Sequence, residues 1–456
     1  MDIINPATGA IISSWEADDA ETISSKFHSL QAGQPLWEAQ PLSQRQHALW
    51  QFSDLLGQHV DELAAMLTQE MGKPISQARA EVHGARKRIH FFLEESAQWL
   101  DDEYLEEEGD TTEMIGWEAI GVVGYLSTWN YPYLLATNVV IPALLTGNAV
   151  LYKPSPQVTG TGEQLLALLH EAQVPRDVVQ LVRGGTAAGK ALLQQPLDAC
   201  YFTGTYANGQ DVYQQAARHM TPCHLDLSSN DPVYITADIQ DVEAVAQTVL
   251  TGAFYNSGQS ASGVKRIYVH RDVYEPFVRH LSRETKRLRM GDPTQEGNYI
   301  GPLATPQQVI LLQQQLDDAL KKGAKLLAGG EPWTGAGNYF SPTLLAEVNH
   351  DMRLMQEESF GPLVGIQEVL NDETALRLMQ DSPFGLTAAI FSDHWAKVEP
   401  LMRRMKVGTA YWNCCDRVQP NLPWSGRKQS GMGTTLSYLG IRAFLRPKAY
   451  HLVNPR

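Results

Sequence analysis

The chain has 456 residues, 43% of them hydrophobic and 19% charged. That length fits two or three folded domains, and the composition excludes a disordered, collagenous or disulfide-stapled protein. With 36 Lys+Arg against 51 Asp+Glu the formal net charge is −15, which argues against sequence-independent nucleic-acid binding, since that needs clustered cations. The four cysteines, Cys200, Cys223, Cys414 and Cys415, lack metal-ligand spacing, so no metal site is expected. So few in so long a chain point to a reducing compartment.

The N-terminal residues have no basic segment followed by an apolar one, so no signal peptide is expected and the default location is the cytoplasm. Residues 19–30, 42–71 and 75–100 carry apolar positions at helical spacing and read as an opening helical layer. The cluster Arg86, Lys87, Arg88 in the third reads as a solvated helix face. Residues 101–110 hold seven carboxylates and read as an exposed excursion. The apolar stretch 139–152 is interrupted by Pro142, Thr146, Gly147 and Asn148 and is too short to span a membrane. It reads as a buried helix end followed by a strand.

From residue 119 the pattern changes. Strand-length runs at 120–127, 149–153, 178–182, 199–203, 223–227 and 233–236 alternate with amphipathic helical stretches. That alternation predicts a mostly parallel sheet covered on both faces. A second α/β stretch covers about 263–412, with strand candidates at 264–269, 363–369, 387–391 and 408–412. The tail 444–453 alternates loosely and reads as a terminal strand that must pair with something, another subunit being one candidate.

Several turns carry chemistry. After the 199–203 run comes Gly204-Thr205-Tyr206-Ala207-Asn208-Gly209, a strand-to-helix turn whose free N–H groups suit a pyrophosphate. A tight turn that needs glycine for backbone reasons explains it equally well. Lys153 ends another strand of the same sheet, where strand carboxyl ends gather at a ligand crevice. Asn130, in Thr128-Trp129-Asn130-Tyr131-Pro132, offers either an uncharged donor to an oxyanion or a side-chain acceptor that caps the following helix. Glu358 and Phe360 lie just before a turn at Gly361-Pro362.

Over essentially its full length the chain resembles the aldehyde dehydrogenase superfamily. The motifs INPATG, LTQEMGKPISQARAEV, TWNYP, GNAVLYKPS, the FTGT…G turn, MGDP, IGPL, EESFGP and SGRKQSGMG occur in family order. YWNCCDRV at 411–418 and LPWSGR at 422–427 resemble one branch of it. The resemblance implies an α/β protein in three parts. These are a Rossmann-like cofactor domain (1–98 and 120–228), an α/β catalytic domain (229–436) and a small β bridging or oligomerisation element (99–119 and 437–456). It implies a homodimer or a dimer of dimers.

It also implies NAD or NADP as cofactor and an aldehyde as substrate. A cysteine thiolate would attack the aldehyde, hydride would pass to NAD(P)+, and a carboxylate-activated water would release the acid. Carried over by motif, Asn130 holds the oxyanion and Lys153 an adenosine-ribose hydroxyl. Thr205 and Gly209 meet the pyrophosphate, Gly185 and Gly189 flank the adenosine, and Glu358 and Phe360 position the nicotinamide ribose. Trp129 joins this cofactor-contacting set.

The resemblance fails at the chemistry. Ala261 stands at the family's nucleophilic cysteine, in Gly258-Gln259-Ser260-Ala261-Ser262. Asp226 stands at the general-base glutamate, Ser228 and Ser229 replace glycines, and Pro156 stands where many members carry a ribose-binding glutamate. A methyl group cannot attack a carbonyl. Ser260 and Ser262 flank it, and in an extended segment they would point away from the site. Cys414 and Cys415 are the remaining substitute thiols. The sequence therefore leaves two readings. One is a dehydrogenase inactive by that mechanism, whether by natural loss or by engineering. The other is a non-catalytic cofactor-binding or assembly protein, a pseudoenzyme on a dehydrogenase scaffold.

Overall fold

The computed structural model describes residues 1–454. A short hairpin, β1 (Asp2–Ile4) and β2 (Ile11–Ser14), precedes the helical layer α1 (Ala20–Glu38), α2 (Leu42–Gln58), α3 (Val60–Met71), α4 (Ile75–Glu95) and α5 (Ala97–Leu100). Asp19 starts α1 by accepting the Thr22 N–H at 2.8 Å. The helix buries Ile23, Phe27 and Leu30, then runs two turns beyond the predicted end at residue 30. Those turns are held from outside: Trp37 Nε1 donates to Leu144 O at 2.8 Å and Gln34 Nε2 to Gly147 O at 3.1 Å. The single helix expected over 42–71 is two, because His59 leaves helical geometry (φ −105°, ψ 19°). Gly72, at φ +80°, ends α3 in the left-handed conformation that suits glycine.

The residues 101–110 are not a loose excursion. They form β3 (Glu103–Glu108), which pairs antiparallel with β4 (Thr111–Ala119). Its carboxylates are exposed along a sheet edge, where like charges discourage further pairing.

The first parallel sheet is built from β5 (Val122–Leu126), β6 (Ala149–Lys153), β7 (Val179–Leu181), β8 (Ala199–Thr203) and β9 (Cys223–Asp226). Helices α6 (Pro132–Leu145), α7 (Thr159–Glu171), α8 (Thr186–Leu193) and α9 (Tyr206–Ala216) connect them. β5 and β6 are wholly buried, which explains their unbroken apolar runs.

The run at 233–236 belongs to a second sheet. β10 (Asp231–Ile235) pairs in parallel with β11 (Val264–His270), α10 (Val242–Phe254) lying between them in sequence. β12 (Lys325–Ala328) and β13 (Thr343–Ala346) extend this sheet beside β14 (Leu363–Val369). They were not expected: each is four residues long, and β12 is largely exposed, so neither gives a clear apolar pattern. β15 (Phe384–Gly385) is a short side strand, and β16 (Thr387–Phe391) and β17 (Thr409–Trp412) close the other edge. β18 (Arg427–Lys428) pairs with β15, and β19 (Gly431–Met432) caps the first sheet beside β9.

The tail finds its partner within its own chain. β20 (Leu445–Val453) pairs antiparallel with β4 along its whole length, from Leu445↔Ala119 to Val453↔Thr111. Among the described residues no helix is long and apolar enough to cross a membrane.

Candidate functional site

The carboxyl ends of β5, β6 and β8 open onto a cavity of about 380 Å³. Trp129, Lys153, Gly185, Gly189 and Thr205 line it, with Pro156 beside them. Lys153 is buried, and desolvation pulls its ammonium down to about 8. Its Nζ donates only weakly, to Pro154 O at 3.3 Å, which leaves it free to serve a polar ligand. Gly185 precedes α8, and a Cβ there would meet nothing within 4 Å. At Gly189 a Cβ would lie 3.4 Å from Leu126 Cδ2. Thr205 caps α9, its Oγ1 accepting the Asn208 N–H at 3.3 Å. Gly209, in the first turn of α9, packs on Leu227: a Cβ there would stand 2.5 Å from Leu227 Cδ2.

A second cavity, of about 460 Å³, lies beyond the first sheet's strand ends. Asn130, Thr203, Asp226, Ala261, Ser262 and Asp416 are among its walls. Ala261 sits on a turn, not on extended backbone. The turn sends the flanking hydroxyls to one acceptor. Ser262 Oγ donates to Asp416 Oδ1 at 2.6 Å and Ser260 Oγ to the same oxygen at 3.2 Å. Lys265 Nζ secures the turn from below, donating to the carbonyls of Ser260 (2.8 Å), Ala261 (2.9 Å) and Gly263 (2.9 Å).

Asn130 is clamped beside this turn. Its Nδ2 donates to Gln259 O at 3.2 Å, and its carbonyl accepts from Lys73 Nζ at 2.8 Å and Asn256 Nδ2 at 3.0 Å. Lys73 is itself buried in an ion pair with Glu81 and lies 3.9 Å from the centre of the Tyr131 ring. Glu81 Oε1 in turn accepts the Tyr133 N–H at 2.9 Å, at the start of α6.

Asp226 keeps one carboxylate oxygen buried without a partner. Burial, reinforced by the Glu358 charge, pushes it up to about 6. The raised value means the fold favours the neutral form. That stability is present below about pH 4 and lost as pH rises through about 6. Asp226→Asn is therefore expected to be more stable than the parent near pH 8, by about 1–2 kcal/mol after allowing for partial exposure. The gain should vanish below about pH 4, and urea unfolding at the two pH values measures it.

Glu358 and Phe360 line neither cavity. Glu358 Oε1 accepts the Ser229 N–H at 2.9 Å, and burial raises its carboxyl despite the Lys265 charge. Phe360, at φ +44°, meets Trp129 edge to face at 5.5 Å between ring centres. The remaining thiols are also off the second cavity, although Asp416 and Arg417 line it. Burial raises both Cys414 and Cys415, which suppresses the thiolate, and Cys415 Sγ donates to Thr248 O in α10 at 3.7 Å.

One residue escaped the sequence reading. Arg88 is not on a solvated face: it is buried, lines the second cavity, and desolvation lowers it to about 10. Its guanidinium reaches only neutral acceptors, Asn138 Oδ1 at 2.6 Å and Leu134 O at 3.1 Å. The four-residue spacing from Gly84, another wall residue, puts both on one side of α4, a signal outweighed by the neighbouring Arg86 and Lys87. Among the described residues no group of three His, Cys, Asp or Glu side chains is arranged to hold a metal ion.

Comparison with known proteins gives a consistent picture. The model of the aldehyde dehydrogenase family matches residues 1–450. The chain is 30% identical over 442 residues to the succinate semialdehyde dehydrogenase [NAD(P)+] Sad of Escherichia coli strain K12, covering 97% of this chain and 95% of that one. It is 31% identical over 449 residues to a succinate-semialdehyde dehydrogenase [NADP(+)] of Mycobacterium avium, covering 98% and 95%. Among solved structures, an E. coli NADP-dependent enzyme superposes with a TM-score of 0.96 at 28% identity, covering 99% of this chain and 94% of that one. A lactaldehyde dehydrogenase does so with a TM-score of 0.96 at 28% identity, covering 100% and 96%.

Proposed function

Because the chain belongs to the aldehyde dehydrogenase family, we propose that it binds NAD or NADP in the first cavity and a small aldehyde-like molecule in the second, without the family's thiohemiacetal chemistry. The observation that carries this reading is Ala261: at the turn where a thiol would face the second cavity stands a methyl group, and no cysteine lines that cavity.

The residues around the first cavity suit the adenosine diphosphate end of a dinucleotide. Lys153 offers an ammonium to ribose hydroxyls, and the amino end of α9 at Thr205 offers N–H groups to phosphate. Gly185 and Gly189 leave room beside them, and Trp129 forms part of the same wall. When bound, such a dinucleotide supplies a hydride acceptor. In the second cavity Asn130 is held as an oxyanion donor by the Lys73 and Asn256 contacts to its carbonyl. Asp226 takes the general-base position, one methylene short. Arg88 gives the cavity a buried cation with no ion-pair partner among the described residues, which suits an anionic ligand. The named relatives include two succinate-semialdehyde dehydrogenases, whose aldehyde is anionic, and a lactaldehyde dehydrogenase, whose aldehyde is neutral.

The three-part division at 1–98 with 120–228, 229–436, and 99–119 with 437–456 is part of this reading. So are a homodimer or dimer of dimers and a cytoplasmic setting, the latter supported by four free cysteines. Calorimetric titration of NAD+ and NADP+ tests the nucleotide site. Saturable binding is expected, weakened about tenfold by Lys153→Ala, which removes a charged hydrogen-bond donor. Absence of nucleotide binding would refute the reading.

A further inference from the structure

β8 and β9 place two cysteines side by side. The strands run in parallel, and their register sets Cys200 against Cys223, the Cys200 N–H donating to Pro222 O at 2.8 Å. Residues opposite each other on neighbouring strands point to the same side of the sheet. Here that side is the apolar layer of Ile23, Phe27 and Leu192, in which Cys200 is fully buried and against which Cys223 packs. The next pair in register, Tyr201 and His224, shows how closely these strands present their side chains: the two rings stack 4.4 Å apart between centres. Neighbouring strands lie about 4.8 Å apart. That spacing falls within the roughly 4.4–6.8 Å that a disulfide spans between Cα atoms.

The two thiols are unequal. Cys200 is sealed inside, whereas Cys223 is half-buried at the start of β9, beside the exposed Pro222. The Cys200 thiol donates to the Cys223 sulfur, which pulls Cys223 below its ordinary value. That bond, then burial, push Cys200 well up. The Cys223 thiol has a backbone acceptor as well, Thr221 O at 3.6 Å. Cys223 therefore has both the thiolate character and the access that an oxidant needs, and Cys200 stands beside it as a second thiol. Cys414 and Cys415 show no such asymmetry, because burial raises both.

We propose that Cys200 and Cys223 are a site of reversible oxidation by peroxides, Cys223 being the sulfur that reacts first and Cys200 the sulfur that closes a disulfide onto it. The Cys223 thiolate attacks one peroxide oxygen, the O–O bond breaks, and hydroxide leaves and is protonated to water, with Cys223 left as the sulfenic acid. The Cys200 sulfur then attacks the Cys223 sulfur, the S–O bond breaks, and the departing hydroxide takes the Cys200 proton as a second water. Two thiols are oxidised and one peroxide is reduced. A dithiol reductant reverses the bridge, as a reducing compartment requires of a transient disulfide. The bridge closes the loop that carries Thr205 and all of α9. It pins β8 to β9 just behind Thr203 and Asp226, which are also partners in register. Thr203 lines both cavities and Asp226 the second, so the oxidised pair lies directly beneath the candidate site.

The test treats the folded full chain with hydrogen peroxide, then unfolds it, alkylates the remaining thiols and maps the peptides by mass spectrometry. A Cys200–Cys223 linkage is expected, with the loss of two hydrogen atoms from the chain's mass and full recovery of both thiols on adding dithiothreitol. Cys414 and Cys415 are expected to stay alkylatable. Cys200→Ala removes the second thiol, so the Cys223 sulfenic acid should persist and be trapped by dimedone, with little trapping in the unaltered chain. Cys223→Ser should abolish the linkage and leave Cys200 alkylatable, since the sealed thiol is not reached by itself. The proposal is overturned if peroxide leaves both thiols alkylatable, carries Cys223 on to the sulfinic acid without a bridge, or links other cysteines instead. Dimedone labelling of Cys200 in Cys223→Ser would reverse the assigned order and overturn it equally.

Discussion

Ala261→Cys alone is expected to yield no detectable aldehyde-dependent reduction of NAD(P)+, whereas the same thiol combined with Ser229→Gly and Asp226→Glu should turn over at least about 10²-fold faster. A thiol at 261 would enter an unhelpful setting. Asp416 holds both neighbouring serines through its carboxylate, and a buried carboxylate near a thiol disfavours the thiolate. The Ser229 hydroxyl grips the carbonyl of residue 261 and with it the turn's orientation. By the motif match, Asp226 stands one methylene short of the family's base, and it has an unpartnered buried oxygen. A positioned general base contributes about 10²–10⁴-fold, so shortening it forfeits much of the rate. Full turnover by Ala261→Cys alone would mean that Ala261 is the single lesion in an otherwise working site. It would favour a deliberate knock-out over natural divergence.

The second large effect concerns stability. Lys73→Met is expected to cost about 3–5 kcal/mol, because it leaves the Glu81 carboxylate buried without its cation. Both side chains of the pair are buried, and desolvation lowers the Lys73 ammonium while the Glu81 charge opposes it. Lys73 also supports the Asn130 carbonyl, so the variant loosens the second cavity as well as the fold. Glu81→Gln should cost less, because an amide oxygen can still accept the Tyr133 N–H at the start of α6. The double variant Lys73→Met with Glu81→Gln should recover part of the loss, since no unpaired charge remains. Urea unfolding followed by circular dichroism measures all three. Equal stability of Lys73→Met and the parent would contradict the account.

The legible parts of this molecule were those with a local signal. The apolar runs of β5, β6, β8, β11, β14 and β16 are buried on both faces, so they stand out in the chain. The turns that end them carry Lys153 and Thr205, which the fold brings to one cavity. What the chain hides is set by distant contacts. β3 reads as a charged loop because its partner β4 supplies the pairing. The orientation of Ser260 and Ser262 depends on Asp416, more than 150 positions away in sequence. Arg88 looks like part of a surface triplet until Asn138 and Leu134 claim its guanidinium. Gly209, Glu358 and Phe360 follow their motifs in sequence, but their contacts with Leu227, the Ser229 N–H and Trp129 come from the fold.

The central claim is that a dehydrogenase scaffold here keeps its nucleotide site and lacks its nucleophile. The most direct measurement is NAD(P)H formation by the unaltered chain, at saturating NAD+ or NADP+, with succinate semialdehyde and a panel of neutral aldehydes. The account predicts no aldehyde-dependent signal above a protein-free control, even at stoichiometric enzyme. Turnover by the unaltered chain would contradict it, and its loss in Ser262→Ala, Cys414→Ser or Cys415→Ser would locate the nucleophile that took the place of the missing thiol.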